Sequence, residues 1–344
     1  MAEKNNTPIE ETKGVSIPDY TSYPREFISY RWFRPILTGV LFLVFHFIFQ
    51  VILILALSFA PGAGFQRITD IVIGGYDSFD AYTVTGALLT LGSVALMIPA
   101  LALANLIVGK RSFRSYSSSR GGWNHEIFFK CLLISVIVVS IPIIIDDVFI
   151  QGRAGAARFT LPGFILLTLL GPLQCIAEEY AFRGILMQAV GSWVRIPPLA
   201  IMITAAVFAA MHPYNIIGVI EIFISGCVFG AVAWAGHGIE VSSALHIANN
   251  MAIFYCVGFG FGRITSQETP AECIFSVTIS LIYVAVIFIC KKKGMFEKVK
   301  GNDAAEWNAK AGRKYALKAA GADETVTFSV PDETEVNAEE DRLL

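Results

Sequence analysis

The sequence predicts an all-α polytopic membrane protein of about eight transmembrane helices enclosing a buried polar site. Three observations carry this. Hydrophobic residues occupy 55% of the 344 positions and charged residues only 16%, the mean hydropathy is +0.60, and apolar runs of about 20 residues recur along the chain. A helix needs that length to cross hydrocarbon, so the runs are read as spans.

Residues 1–35 are polar and mixed in charge, with no apolar run at their start; no cleaved signal peptide is expected, and the first span serves as its own insertion signal. Spans are expected at 36–60, 84–108, 127–145, 161–182, 197–211, 216–235, 242–260 and 271–290, the fifth being short. Three basic clusters set the orientation: Arg25, Arg31 and Arg34; Lys110, Arg111, Arg114 and Arg120; and Lys291, Lys292, Lys293, Lys298 and Lys300. All three fall on one side. The loop 61–83 carries Asp70, Asp77 and Asp80 against Arg67, and loop 146–160 balances Asp146 and Asp147 with Arg153 and Arg158. An even span number with both termini cytoplasmic satisfies these loops. The net charge of −2 says little by itself, and no basic patch suggests nucleic acid.

The chain divides into an N-terminal tail (1–35), a transmembrane domain (36–290) and a C-terminal tail (291–344). In the last, residues 303–320 are expected to form a polar helix capped by Asn302 and stopped at Gly321, followed by a disordered acidic tail. Cys131, Cys175, Cys227, Cys256 and Cys290 lie in apolar runs without metal-type spacing and read as small hydrophobes. Cys273, near the outer end of the last span, is the cysteine placed to meet an oxidant.

Polar residues inside the spans carry the functional reading, because an ionisable group at bilayer depth costs about 2.5–3.5 kcal/mol and needs a partner. In "CIAEEYAFRG" Glu179 has one: Arg183 lies one turn along the same face, in the favourable acid-before-base order. Glu178 points about 100° away and gains nothing from it. His212 ends "FAAMH", one turn after Phe208, and His246 opens "HIANN", one turn before Asn250. A lone imidazole in a span commonly bonds a neighbouring helix, but polar clusters on three helices argue for a built site.

Two imidazoles and a carboxylate, His212, His246 and Glu178, would suffice to hold zinc or another divalent metal with a position left for water. A metal-free route uses the same groups: Glu178 as general base on a water held by His212, with His246 and Asn250 facing the oxyanion. Both give amide hydrolysis. The H-E-x-x-H pattern of soluble zinc proteases is absent.

The ordered set "EEYAFRG", "FAAMH" and "HIANN" on successive hydrophobic helices resembles the CPBP family of intramembrane proteases, which joins CAAX prenyl endopeptidases with bacteriocin-processing enzymes. The resemblance covers roughly residues 125–290. It implies eight helices, a site sunk below the cytoplasmic surface, Glu178 as the catalytic glutamate, Glu179 paired with Arg183, and His212, His246 and Asn250 lining one cavity. The implied substrate is a membrane-associated or lipid-modified protein or peptide. The compact loops suit a bacterial plasma membrane. Two competing readings use the same residues, a proton- or cation-coupled transporter and a non-catalytic membrane scaffold.

One geometrical tension accompanies a shared site. A fourth span ending at residue 182 puts Glu178 near the cytoplasmic face, while His212 closes the fifth run about 22 Å from its start. The tension is relieved if residues 184–197 dip into the membrane as a short amphipathic helix, if the fifth and sixth spans tilt, or if Pro213 bends the chain. Glu221 is read as a helix-to-helix hydrogen bonder, His125 and His237 as loop residues and His46 as a residue of the first span, all without catalytic work. Gly226, Gly230 and Ala233 suit close helix approach.

Overall fold

Sequences that must satisfy every backbone amide without water form helices, and the computed structural model of the chain is built from them. It describes residues 17–59, 68, 80–263 and 267–319. Arg67, Asp70, Asp77, Gly321 and the acidic tail lie outside the described residues.

The bundle helices are α1 (Arg34–Ser58), α2 (Val84–Val108), α3 (His125–Gln151), α4 (Leu161–Val194), α5 (Pro197–Ala210), α6 (Ile216–Ala235), α7 (Ile239–Gly258) and α8 (Pro270–Lys292), followed by α9 (Asp303–Ala319). Caps fix where several of them start. Thr83, Asn124, Thr160, Asn215 and Thr269 each accept from a first-turn amide, and Thr269 forms a full capping box with Glu272. Asn302 caps α9 through the Ala305 amide, as expected.

Among the described residues six helices are long and apolar enough to cross a membrane. The two bundle helices outside that set are informative. The short fifth run becomes the 14-residue α5. The seventh, α7, carries Glu240, Ser242, Ser243, His246, Asn249 and Asn250, and can be polar because α3, α4 and α6 surround it and bury most of its length. The fourth expected span is corrected at its end. Instead of stopping near residue 182 and re-entering as a separate amphipathic piece, α4 continues to Val194, 34 residues in all, through a wide π-helical turn at Tyr180–Met187.

The polar residues of that extension are satisfied by protein. Gln188 accepts from Arg111 (2.7 Å) and donates to the Ser115 carbonyl (3.0 Å), and the Ser192 hydroxyl bonds Tyr30 (3.1 Å). The extension pairs antiparallel with α5, Phe182 meeting Phe208 at a ring separation of 4.8 Å. Small residues let α5 and α6 close up. A β-carbon at Gly226 would stand 3.0 Å from Ala205 Cβ, and one at Gly230 2.8 Å from Ile201 Cγ2. Gly230→Leu is therefore expected to destabilise the protein by about 1–3 kcal/mol, read as a lower thermal midpoint; an unchanged midpoint would show that this contact has slack.

One end of the bundle gathers residues 17–33, 110–124, 236–238 and 293–302. Tyr20 donates to the Tyr116 carbonyl (2.6 Å), Ser119 Oγ to Pro18 O (2.8 Å) and the Lys300 amide to Arg120 O (2.9 Å). Both described chain ends thus lie together, as an even number of crossings requires. A buried ion pair, Arg120 Nη2 to Glu240 Oε1 at 3.1 Å, ties this end to the first turn of α7. At the other end Arg158 N bonds Gly258 O (2.8 Å) and Asn215 Nδ2 bonds Glu268 O (2.8 Å).

The remaining polar residues take structural places. His46 Nε2 contacts the Ser93 carbonyl (3.0 Å), and Glu221 accepts from Ser225 (2.9 Å) and from Ser276 of α8 (2.6 Å). His125 is the first residue of α3 rather than a loop residue. All six cysteines are free.

His237 makes the turn between α6 and α7 with φ +57°, its carbonyl accepting from the Ser119 amide (3.0 Å). Burial, with Lys291 and Arg120 nearby, pushes its imidazole down to about 4 from the ordinary 6.5. Protonation thus favours the unfolded chain. The contribution is fully present above pH 6.5 and is lost as pH falls toward 4. Asparagine tolerates this left-handed backbone, so His237→Asn should flatten the fall of the thermal midpoint across that window; parallel curves for the two proteins would refute the assignment.

Candidate active site

The site is assembled on α4 midway along its length, where Pro172 precedes the two carboxylates and the π-helical turn follows them. Glu179 Oε1 accepts from Arg183 Nη1 at 2.9 Å and from His246 Nδ1 at 3.0 Å. Arg183 is completely buried; its Nη2 donates to the Gly226 carbonyl (3.1 Å) and its guanidinium lies 4.9 Å and 5.0 Å from the ring centres of Phe208 and Phe229. The imidazole of His246 stacks on Phe229 at 4.9 Å with the planes 18° apart. With Nδ1 held by Glu179, its other nitrogen, Nε2, points at Glu178 Oε2 3.5 Å away. Glu178 Oε1 in turn accepts from Gln174 Nε2 at 2.6 Å.

A chain Arg183–Glu179–His246–Glu178–Gln174 therefore crosses from α4 to α7 and back. Access to solvent is unequal along it. The side chains of Glu179 and Arg183 are 0% exposed and that of His246 4%, whereas Glu178 is 16% exposed. Glu178 is the most accessible member of this chain of contacts. Such an arrangement, an inner carboxylate orienting an imidazole beside an outer carboxylate, can hold and deprotonate one water.

Of the six residues singled out in the sequence, the structure brings Glu178, Glu179, Arg183 and His246 into one contact network. His212 joins through a ring. It lies 4.6 Å from Phe208, whose ring is 6.4 Å from His246, and its Nδ1 donates to the Phe208 carbonyl (2.7 Å), leaving Nε2 free of that bond. The α4–α5 pairing resolves the earlier tension. Glu178 sits about 24 Å along α4 from Val194 and His212 about 22 Å along the returning chain, so the two face the same stretch. Asn250, one turn beyond His246, accepts from Asn249 (3.1 Å) and does not bond the carboxylates directly. Among the described residues no three His, Cys, Asp or Glu side chains gather as a metal-ligand group. Glu178, His212 and His246 as arranged do not form the expected ligand shell: both nitrogens of His246 face carboxylates and no contact joins His212 to Glu178.

Sequence reasoning missed Gln174, Phe229 and the Gly226 carbonyl. Gln174 could have been found, since it precedes Glu178 by one helical turn. The Gly226 carbonyl carries no sequence signal.

Residues 159–252 match the family model described as Type II CAAX prenyl endopeptidase Rce1-like. Over that stretch the chain is similar to the Rce1-like domain. That stretch contains Glu178, Glu179, Arg183, His212, His246 and Asn250. The chain is also 28% identical over 221 residues to the uncharacterized protein YyaK of Bacillus subtilis (strain 168), a match covering 57% of this chain and 72% of that protein. No solved structure matches. The matched stretch sits within a multi-pass helical membrane protein.

Proposed function

We propose that the protein is an intramembrane endopeptidase that hydrolyses a peptide bond in a membrane-associated or lipid-modified protein or peptide, with Glu178 as the base. The observation that carries this is the unequal exposure of the Glu179–His246–Glu178 chain, in which two buried groups stand behind one more accessible carboxylate.

Glu178 takes a proton from a water beside Oε2 as the oxygen attacks the carbonyl carbon. The π electrons move onto the carbonyl oxygen, and donors on the imidazole side, with His246 and then Asn250 the nearest on α7, offset that charge. Collapse of the intermediate breaks the C–N bond, and Glu178 returns its proton to the leaving amine. Glu179 holds His246 in place and Arg183 holds Glu179. The donor set as arranged does not fit a metal, so no step is routed through one.

The basic end, with its clustered Arg and Lys residues, is assigned to the cytoplasm by the positive-inside rule, and the host membrane to a bacterium. The test is cleavage of fluorogenic membrane peptides, prenylated and unmodified, by the purified full chain in liposomes. Cleavage by wild type that disappears in Glu178→Ala and His246→Ala, and persists in Glu221→Gln, supports the reading; a separate chelator arm reports on metal. Wild type that cleaves none of these peptides but conducts protons would replace the protease with the relay.

A further inference from the structure

At the end of the bundle that carries the N-terminal segment, a recess lies between the lead-in to α1, the loop after α2 and the last part of α4. Its walls include Tyr30, Tyr116, Ile185 and Ala189, and two guanidinium groups, Arg34 and Arg111, line it. Among the described residues no carboxylate does. The hydrogen-bond and ring partners of these cations are neutral: Arg111 donates to Gln188 Oε1 (2.7 Å) and lies 3.7 Å over the Tyr116 ring, and Arg34 donates to the Ser29 carbonyl; Asp303 is near enough to feel the charge of Arg111 without pairing with it. Among the described residues neither takes part in an ion pair. Arg25 adds a third cation nearby, 5.3 Å over the Tyr30 ring and bonded to the Ser192 carbonyl (3.0 Å).

Like charges turned toward one partly enclosed space repel, and the repulsion is offset when an anion enters. The recess is small and open on one side, so a charged group can enter it from outside the bundle. Its position selects the source of that group. Arg34 is the first residue of the first membrane helix, and Trp32, Phe33 and Ile36 beside it are 66%, 45% and 45% exposed, facing outward where lipid would lie. Trp193, itself 42% exposed, donates to the Trp32 carbonyl (3.0 Å), and paired indoles of this kind are enriched where membrane meets water.

The geometry points to a binding site for an anionic phospholipid, its headgroup phosphate between Arg34 and Arg111 and its acyl chains along the outward face of α1. The site is separate from Glu178 and His246 and stands whether or not the chain is a protease.

The test is native mass spectrometry of the full chain released from nanodiscs of phosphatidylcholine containing increasing phosphatidylglycerol. Wild type should retain phosphatidylglycerol in preference to phosphatidylcholine. Arg34→Gln should weaken that retention about fivefold, the effect of one juxtamembrane charge, while Arg153→Gln, at the opposite end of the bundle, should leave it unchanged. A thermal midpoint for Arg34→Gln equal to wild type in pure phosphatidylcholine secures the fold. Equal retention by wild type and Arg34→Gln, or no preference between the lipids, would overturn the site. So would stabilisation by millimolar inorganic phosphate equal to that given by the lipid, which would assign the recess to a soluble anion.

Discussion

Glu178→Gln is expected to lower peptide cleavage by roughly 10²–10⁴-fold with little change in KM. That range is the usual contribution of a positioned acid–base group. Glutamine keeps the shape of the side chain and a carbonyl oxygen that can still accept from Gln174 Nε2, so the substrate should meet an unaltered surface while the proton acceptor is gone. Glu178→Asp retains the base but withdraws it by one methylene, and a misplacement of about 1 Å can itself cost on the order of 10²-fold. A Glu178→Gln protein cleaving at more than a tenth of the wild-type rate would remove Glu178 from the role of base and assign that role to another group.

Arg183→Leu should be the most destabilising substitution in the site. Arg183 and Glu179 are both fully buried, and Glu179 Oε2 already has no hydrogen-bond partner. Removing one member of a buried pair leaves an uncompensated charge at a cost of about 3–5 kcal/mol. The thermal midpoint in detergent should drop accordingly. Adding Glu179→Gln should recover much of the stability, because the stranded charge is gone, yet not the cleavage, because His246 loses the carboxylate on Nδ1. Additive losses in the double variant would mean that the two residues act independently.

The membrane class and most span positions were legible because hydrocarbon imposes a strong length and polarity rule. That rule speaks only of surfaces that meet lipid. It therefore misjudged the end of α4, where Gln188 and Ser192 look like loop residues but bond Ser115, Arg111 and Tyr30. It also gives no reason for α7 to be as polar as it is; only the ring of helices around it does. Within the site, the Glu179–Arg183 pair could be read from spacing alone because both partners share one helix face. The placement of His246 between two carboxylates could not, since it depends on how α7 crosses α4. The relation of His212 to Glu178 depended likewise on α4 and α5 forming one antiparallel hairpin, a fact recorded in the Phe182–Phe208 contact and in no local pattern.

The wide turn at Tyr180–Met187 divides α4 into two segments with different rotational phases. Below it, Glu178 and Glu179 face α7; above it, Gln188 and Ser192 are pinned to Arg111 and Tyr30. In a regular helix each residue advances the azimuth by about 100°. Rewinding Tyr180–Met187 to ordinary pitch at unchanged length would therefore turn the acidic pair against the pinned upper segment. The chain could then dock its upper anchor or aim its acids, but not both, so the winding of this segment is what lets one helix serve both ends.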